Sequence, residues 1–322
     1  MEVTFYGTRG SVPISNRESV EIGGNTTCVR IASDCLPPDT WLVVDAGSGF
    51  VPLCRDALTS GVKNVHILFS HWHHDHNQGL FLEPLTFIKQ IPITLWGPVE
   101  NGYGPRKVIE TLMKPPFFPV DFKVVGSHFT TKPIAHPDIT VVVFHPKGGV
   151  KQMNVEELER LQNEKKPIPF RHERYYAEEC LIIKMLWSNH PERTICYRFE
   201  EGPTGKVFVF LTDHENMDGM PGKLRAHLNG ANFLVMDSQY SRQKYEQITA
   251  GFGHGTPDYA VEVALAVNAE RLGLTHHDPL STDQDIEDIL KHAQACLCPP
   301  DSDDPPRELD IFVCKDYLKV TV

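Results

Sequence analysis

The chain has 322 residues, 41% of them hydrophobic and 23% charged, so it is long enough to bury a large core as one domain or two. Its formal net charge of −11 argues against a general binder of nucleic acid or membrane surfaces, because both need basic patches. The chain opens on "MEVTFYGTRG", without a basic or apolar leader, and its longest apolar runs are far shorter than a membrane span, so we expect a cytoplasmic protein.

Two kinds of segment alternate along the chain. Short runs rich in β-branched and apolar residues predict strands at 2–7, 27–32, 41–47, 64–70, 93–97, 139–145, 180–187, 194–200, 206–213, 231–237 and 310–316. Longer amphipathic stretches predict helices at 52–60, 105–113, 154–165, 221–229, 256–271 and 282–295. In the fifth helix, Thr256 suits the N-cap, Pro257 suits the first turn and Gly273 ends the segment. Strands cluster first and then alternate with helices, which predicts an α/β sandwich with mixed sheets.

Segment 147–179 differs from its surroundings because it is highly charged and its helix-like core is broken by "KKPIPF". It separates two predicted strands that would otherwise be neighbours in the chain. A solvated insertion and a lid or dimer arm are both compatible with this pattern, and a homodimer would follow from a dimer arm. We expect segments 101–120 and 147–179 to line the binding pocket.

The stretch "SHWHHDHNQGL" (70–80) contains four histidines and follows the strand-like run "NVHILF". His71 and His73 are two residues apart, so in an extended backbone they point to the same side and can share a metal ion. Asp75 and His76 come just past the turn, where the chain can direct them at a neighbouring ion. The loop therefore predicts a metal site. Further ligands are expected at the ends of later runs, in "SNHPERTICYRFE", "FVFLTDHE" and "RLGLTHHDP".

These motifs together resemble a known family. The H-x-H-x-D-H loop, with "LVVDAGSG" before it and "TDHE" and "THHDP" after it, resembles the metallo-β-lactamase fold superfamily. The opening "FYGTRGSVP" and "GGNTTC" are similar to a branch that includes tRNase Z, the phosphoribosyl cyclic phosphate phosphodiesterase and cyclic-nucleotide phosphodiesterases. The similarity runs from about residue 2 to 290 and leaves segment 147–179 and the tail unmatched. It implies an αββα sandwich of two mixed sheets, forming a single hydrolase domain over residues 1–322.

The resemblance also implies a centre with two divalent ions and seven ligands. One ion would be held by His71, His73 and His190, the other by Asp75, His76 and His276, with Asp213 bridging the two. Asp45 would lie behind the histidine loop and orient it. A ligand set rich in histidine and carboxylate, without cysteine, suits Zn²⁺ and also accommodates Mn²⁺ or Fe²⁺.

Several histidines compete for these places. His145 precedes a proline as His190 does, and His277 directly follows His276. The superfamily pattern favours His190 and His276, and it leaves His277 and Asp278 as neighbours of the site. For His74 and His214, a solvent-facing position in a loop is as good an interpretation as a role in the site.

Two further residues are candidates for the chemistry. His254, in the Gly-rich "GFGHGTPDYA", resembles the H-x-T element of the tRNase Z-like branch, where the histidine lies near the scissile phosphate. The resemblance implies that His254 protonates the leaving oxygen and that Asp75 is catalytic as well as a ligand. Arg9 is a possible phosphate contact, and a structural hydrogen-bond donor is an equal alternative.

The function that follows is a phosphodiesterase in which a metal-bridging hydroxide attacks a cyclic nucleotide or a related small cyclic phosphate. A tRNase Z-like nuclease is an alternative, but the chain is acidic and has no long basic arm, so we expect a small-molecule partner and no nucleic acid or membrane. A thioester or lactone hydrolase would not need His254. A ligand sensor without enzymatic activity would have lost ligands, whereas all seven are present.

Overall fold

The protein is described by a computed structural model that covers residues 1–81, 83–216, 219–297 and 308–322. Its strands are β1 (Glu2–Gly7), β2 (Cys28–Ala32), β3 (Thr40–Val44), β4 (Asn64–Leu68), β5 (Ile93–Pro98), β6 (Phe129–Ile134), β7 (Thr140–His145), β8 (Gly149–Asn154), β9 (Ile168–Pro169), β10 (Arg174–Tyr175), β11 (Leu181–Ser188), β12 (Thr194–Glu201), β13 (Lys206–Leu211), β14 (Phe233–Asp237), β15 (Arg271–Thr275), β16 (Asp310–Val313) and β17 (Lys319–Thr321). Its helices are α1 (Phe50–Thr59), α2 (His74–Asn77), α3 (Pro105–Leu112), α4 (Val155–Asn163), α5 (Gly222–Leu228), α6 (Arg242–Lys244), α7 (Pro257–Ala266) and α8 (Asp283–Ala295).

Two mixed β-sheets form the centre of the molecule. The first has the strand order β17-β1-β2-β3-β4-β5-β6, and the second has the order β16-β15-β14-β13-β12-β11-β7-β8. Alternate residues of one strand supply two different layers: Leu42 and Val44 of β3 face the second sheet, whereas Trp41 and Val43 face the helices outside. Both faces of the central strands are buried, which explains their nearly continuous apolar runs. The expected αββα sandwich is therefore confirmed.

Helices cover the outer face of each sheet. Helix α1 packs on the first sheet through Phe50 and Leu53, and α7 and α8 pack on the second through residues such as Val263 and Ile289. Among the described residues, no helix is both long enough and apolar enough to span a bilayer.

The parallel strands determine where a site can form. β3 and β4 run parallel in the first sheet, and β13, β14 and β15 run parallel in the second. β11 pairs antiparallel with β12, which pairs antiparallel with β13, so β11 ends at the same edge as β13. Loops that follow all of these strands meet at this edge, where ligands bind in open α/β sheets.

The predicted helix 256–271 is too long. α7 begins at Pro257 after the N-cap Thr256, as expected, but it ends at Ala266 and is followed by β15. Gly273 lies inside that strand, where an added Cβ would be 2.7 Å from Cys314 Sγ. Asn268, two residues past the end of the helix, has a positive φ of 54°, so it is a stop signal that the sequence prediction missed.

Three of the four strands at the edges of the two main sheets were also not predicted, whereas β16 was predicted at 310–316. β6, β8 and β17 each end a sheet, and their sequences are "FTTKPI", "GVKQMN" and "KVT". Edge strands face solvent along one side, so they tolerate the polar residues and the proline that hide their pattern.

Segment 147–179 is folded onto the outer face of the second sheet. It contains β8, α4, β9 and β10, and its Leu158 and Ile168 pack against Val141 and Ile182 of the sheet. At the end of β7, His145 stacks on Tyr175 with ring centroids 3.4 Å apart. The neighbouring Phe144 pairs with Leu181, the first residue of β11, so His145 lies at the opposite end of β11 from its site edge. His145 is therefore not a candidate ligand.

The packing of segment 147–179 can be tested with one buried leucine. Leu158→Ala should lower the free energy of unfolding by about 2–5 kcal/mol, because Leu158 is fully buried between the helix and the sheet. Glu159→Ala, at an exposed position on the same helix, should change it by less than about 0.5 kcal/mol. Denaturant unfolding measures both values, and equal stability of the two variants would contradict the packing.

Candidate metal centre

All seven candidate ligands lie at the edge where the strands of both sheets end. In the first sheet, the loop after β4 carries His71, His73, Asp75 and His76. In the second sheet, His190 follows β11, Asp213 follows β13 and His276 follows β15. The two sheets are joined at this edge, because Ile195 N donates a hydrogen bond to Ser70 O over 2.9 Å and Tyr197 donates one to Phe69 O over 2.7 Å.

Asp213 lies at the centre of the cluster. Its Oδ2 is 3.7 Å from His71 Nε2, 3.9 Å from His190 Nε2 and 3.3 Å from His276 Nε2. Its Oδ1 is 3.2 Å from His76 Nε2. The carboxylate therefore faces both halves of the cluster, with Oδ2 near imidazoles of both and Oδ1 near His76, as a shared ligand would.

The side chains form two overlapping groups whose donor atoms lie within 4.8 Å of one another. The first group is His71, His73, His190 and Asp213, and the second is Asp75, His76, Asp213 and His276. The superfamily resemblance implies the same division. Five imidazoles and two carboxylates without a thiolate fit Zn²⁺ and also Mn²⁺ or Fe²⁺.

Buried charge and an unpaired nitrogen indicate that this donor set suits a cation. Nε2 of His71 is buried and has no hydrogen-bond partner in the described part of the chain. Burial alone would raise the pKa of Asp213, but His276, His76 and His71 hold that pKa well below its usual range. Burial opposes protonation of His276, yet the carboxylates of Asp213, Asp75 and Asp237 raise its pKa to about 9. Without an ion, the buried carboxylates depend on positive imidazoles, and a divalent cation would replace that charge.

The backbone holds three aspartate and histidine side chains of this edge in an unusual conformation. Asp45, Asp213 and His276 have positive φ angles of 59°, 48° and 61°. Asp45 and His276 directly follow the end of a strand, and Asp213 is the second residue after one, so the left-handed turn redirects each side chain into the space between the sheets. Such conformations cost of order 1–3 kcal/mol each, and they persist because the surrounding contacts fix them.

A second layer of hydrogen bonds orients the imidazoles. As predicted, Asp45 lies behind the histidine loop: its Oδ2 is 2.8 Å from His76 Nδ1, and its Oδ1 accepts a 2.8 Å hydrogen bond from Ser70 N. His190 Nδ1 lies 2.8 Å from Gly253 O, and a donated hydrogen bond there leaves Nε2 facing the cluster. Such contacts fix the tautomer and ring orientation of a metal ligand.

Two acidic residues of the site were missed by the sequence reasoning. Glu192 Oε2 lies 2.9 Å from His73 Nε2, so Nδ1 of that imidazole faces the cluster. Asp237 Oδ2 lies 2.8 Å from His254 Nδ1. Asp237 ends the strand "ANFLVMD" just as Asp45 follows "WLVV", a signal that could have found it. Glu192 lies in a loop and has no such signal.

His254 lies beside the cluster. Its Nδ1 is 4.0 Å from Asp213 Oδ2, and its ring stacks on His276 with centroids 4.9 Å apart. Asp237, His254 and His276 also form a group that could hold an ion, so geometry alone is compatible with either a catalytic or a ligand role for His254.

The remaining candidate histidines lie outside the two groups. His277 Nε2 is 2.8 Å from Cys314 O, on the other side of the chain from His276. His214 is buried between Ser188 Oγ at 2.7 Å and Tyr259 OH at 3.0 Å, so the solvent-loop alternative for it is wrong. Burial lowers the pKa of His214 to about 4. His74 is exposed, as a loop position predicts.

Arg9 and Asp278 have structural roles in this fold. Arg9 is fully buried; its Nε donates to Gly23 O over 2.9 Å, and its NH1 donates to Asp278 O and Ser281 O over 3.0 and 2.8 Å. The prediction that Arg9 contacts phosphate is therefore wrong, because its guanidinium joins the N-terminal loop to residues 278–281. The Asp278 carboxylate pairs with Lys244 and not with the cluster.

Comparison with known proteins identifies the family. The family model described as Beta-lactamase superfamily domain matches residues 40–277, which include all seven candidate ligands. The chain belongs to the metallo-β-lactamase superfamily. Ribonuclease Z of Methanothermobacter thermautotrophicus is 25% identical to it, over 93% of this chain and 92% of that protein.

Solved structures share the metallo-β-lactamase fold. The metallo-β-lactamase fold protein YhfI of Bacillus subtilis has a TM-score of 0.61 and 16% identity, over 99% of each chain. A diphosphatase from the PhnP family has a TM-score of 0.58 and 16% identity, over 100% of this chain and 97% of that one. At these identities the likeness shows the fold alone.

In this member of the superfamily, a cleft of about 450 Å³ lies beside the candidate centre. His71 and His73 line it together with Glu100, Tyr103 and Glu192, whereas His254 lines a separate pocket. Residues of 101–112 border the cleft, as expected. No residue of 147–179, a segment that the structure describes throughout, lines this cleft, so the expected contribution of that segment to the pocket is wrong.

Glycine contacts offer a test of how tightly the cluster is held. Gly253 and Gly251 have similar φ angles of 93° and 88°, so alanine strains the backbone equally at both. An added Cβ at Gly253 would lie 2.2 Å from His190 Nδ1, whereas at Gly251 it would meet nothing within 4 Å. Gly253→Ala should therefore lower the divalent-ion content measured by elemental analysis, and Gly251→Ala should not. Equal ion content in both variants would contradict the tight packing of His190.

Proposed function

We propose that this chain is a metal-dependent phosphodiesterase that binds two divalent ions, for which Zn²⁺ is the best match, and acts on a small phosphodiester such as a cyclic nucleotide. The observation that carries the proposal is the convergence of seven metal-ligand side chains with an additional, carboxylate-bound histidine beside them. Two ions that share one carboxylate suit phosphodiester cleavage, because the attacking and leaving oxygens both need stabilisation.

The proposed ligands divide as the two groups of donor atoms do. One ion is assigned to His71, His73 and His190, the other to Asp75, His76 and His276, and Asp213 is shared. When bound, two such ions supply Lewis acidity toward the phosphate and lower the pKa of a water nucleophile.

The chain's own residues would orient the reactants and move the proton. The 2.8 Å contact with Asp237 holds a proton at Nδ1 of His254 and fixes its ring, so Nε2 is the atom that gives a proton to the leaving oxygen. Asp75 Oδ2 accepts a 2.7 Å hydrogen bond from Ser11 N, which fixes this carboxylate near His276. We assign Asp75 the additional role of orienting the attacking water.

The charge of the cleft favours a small substrate. Glu100 and Glu192 lie at its walls, and the chain carries a net charge of −11. A long polyanion would need to neutralise many phosphates with lysine or arginine, whereas a single phosphodiester needs only the ions. A cleft of about 450 Å³ is within the size range of small-molecule sites.

RNA is the second candidate substrate. The observation that favours it is the likeness to Ribonuclease Z, which extends over 92% of that protein's length. The core chemistry would be the same, because both reactions break a phosphodiester bond.

A substrate panel separates the two candidates. Zinc-loaded protein should hydrolyse cyclic mononucleotides or cyclic dinucleotides, and its kcat/KM for them should exceed that for precursor tRNA. Bis(p-nitrophenyl) phosphate is the control for an active centre. Cleavage of precursor tRNA with the higher kcat/KM would favour the RNA substrate, and inactivity toward all phosphodiesters would contradict the reaction class.

The shared ligand can be tested by metal content. Asp213→Ala should lower occupancy of both ions, because its two oxygens face both groups. His190→Ala, which belongs to one group only, should lower the content by about one ion per chain. Elemental analysis after reconstitution measures both. If Asp213→Ala and His190→Ala lose the same single ion, Asp213 is not shared.

The role of His254 can be separated from metal binding. His254→Ala should keep both ions, while turnover should fall by about 10²–10⁴ for a substrate with a poor leaving group. The loss should shrink for bis(p-nitrophenyl) phosphate, because p-nitrophenolate needs no proton to leave. Loss of an ion would assign His254 as a ligand, and equal losses on both substrates would indicate positioning of the phosphate.

A further inference from the structure

A second cluster of metal-ligating side chains lies outside the candidate centre. It joins the first turn of α7 to the last turn of α8 and contains Asp258, His292 and Cys296. The donor atoms of these three residues lie within 4.8 Å of one another. His292 Nε2 is 2.7 Å from Asp258 Oδ1, and Cys296 Sγ is 3.9 Å from the same oxygen.

The cluster differs from an ordinary surface ion pair in two ways. The other carboxylate oxygen, Asp258 Oδ2, is buried and has no hydrogen-bond partner among the residues that the structure describes. The Asp258 side chain is 21% exposed and His292 pairs with its Oδ1, so Oδ2 is the carboxylate oxygen that has no donor among the described residues. The third member is a thiol. A thiol is a weak hydrogen-bond partner for an Asp–His pair, but as a thiolate it is a strong ligand for a thiophilic cation.

The helix geometry presents the two donors of α8 together. His292 and Cys296 are four residues apart, so their side chains lie on one face of the helix, one turn from each other. That face meets α7 at Asp258, the second residue of the latter helix. Three donors of three chemical types, a carboxylate, an imidazole and a thiol, thus converge from two helices.

We propose that Asp258, His292 and Cys296 bind a thiophilic divalent ion, for which Zn²⁺ is the best match. Carboxylate, imidazole and thiolate are the three donor types that bind zinc in proteins, and three protein ligands leave one tetrahedral position for water. On binding, the bond between sulfur and the ion forms as the Cys296 S–H proton leaves to solvent. The ion would also be the partner that Asp258 Oδ2 lacks among the described residues.

The site would fix the segment that carries His254. Asp258 follows His254 by four residues, and Thr256 between them is the N-cap of α7, with its side chain accepting a hydrogen bond from Tyr259 N. An ion at Asp258 would join the beginning of this helix to the end of α8. Its role would be structural, because none of its three ligands belongs to the groups of the candidate centre.

Cobalt substitution gives a signal that belongs to this cluster alone. The candidate centre contains histidine and aspartate only, so Co²⁺ bound there produces no sulfur-to-cobalt charge-transfer band. The full chain, stripped with a chelator and titrated with Co²⁺ alone, should develop such a band in the near ultraviolet. The band should reach the amplitude of one thiolate-bound Co²⁺ per chain once about three Co²⁺ per chain have bound, because the candidate centre takes up two of them without adding to the band, and added Zn²⁺ should abolish it.

Variants assign the ligands. Cys296→Ser should remove the band completely and lower the zinc content by one ion per chain, while Asp258→Asn and His292→Ala should each weaken Co²⁺ binding at the band by at least about tenfold. Asp288→Asn is the matched control, because Asp288 is an exposed acid on the same helix that pairs with Lys291. It should leave the band unchanged.

The result is independent of the proposed function, since the band does not require catalysis. Absence of a sulfur-to-cobalt band in the parent chain would overturn the proposal. So would its persistence in Cys296→Ser, or unchanged Co²⁺ affinity in both Asp258→Asn and His292→Ala. Circular dichroism of each variant checks that the fold is retained, because Cys296 is partly buried and packs at the margin of the hydrophobic core.

Discussion

The buried charge of Asp213 is the constraint on which the rest of the site depends. Its side chain is 1% exposed, just past the end of β13, and four imidazoles from three parts of the chain lie within 3.9 Å of it. A carboxylate this deep in a protein is tolerated only if opposite charge or hydrogen-bond donors compensate for the lost water. The fold must therefore bring the ends of several strands together, and it does so by facing two sheets at one edge.

The connection between the sheets makes that arrangement rigid. The loop after β4 carries four of the candidate ligands, and it is attached to the second sheet through Ser70 O and Phe69 O. Asp45, at the end of the neighbouring strand, binds Ser70 and His76 with its two oxygens. The histidine loop is thus held from behind by the first sheet and from the side by the second. A preorganised cluster of this kind loses little conformational freedom when it binds an ion or a substrate.

The acidic residues around the centre have two different roles. Buried carboxylates such as Asp45 and Asp237 orient imidazoles, whereas Glu100 and Glu192 lie at the walls of the open cleft. Glu192 has both roles, because it contacts His73 and its side chain is 56% exposed in the cleft wall. Glu100 in turn accepts a hydrogen bond from Arg193 Nε over 3.0 Å, so its charge is paired.

The sequence by itself determined the superfamily, the sandwich and the membership of the ligand cluster. Strand ends are visible because apolar runs stop at histidine or aspartate, so the stretches that contain His190, Asp213 and His276 could be singled out without coordinates, and the resemblance to the superfamily selected these residues within them. The polar edge strands could not be placed, since local pattern carries no signal where neighbours or solvent decide the structure.

Only the tertiary structure decided the roles of residues whose sequence context is ambiguous. Arg9 and His214 are both polar residues in loops, and each became a buried structural group because distant segments supply its hydrogen-bond partners. His276 and His277 are neighbours in the chain, yet the positive φ of His276 turns one imidazole into the cluster and leaves the other facing Cys314. Burial and partner choice depend on contacts between residues far apart in the chain, and a single sequence contains no measure of those distances.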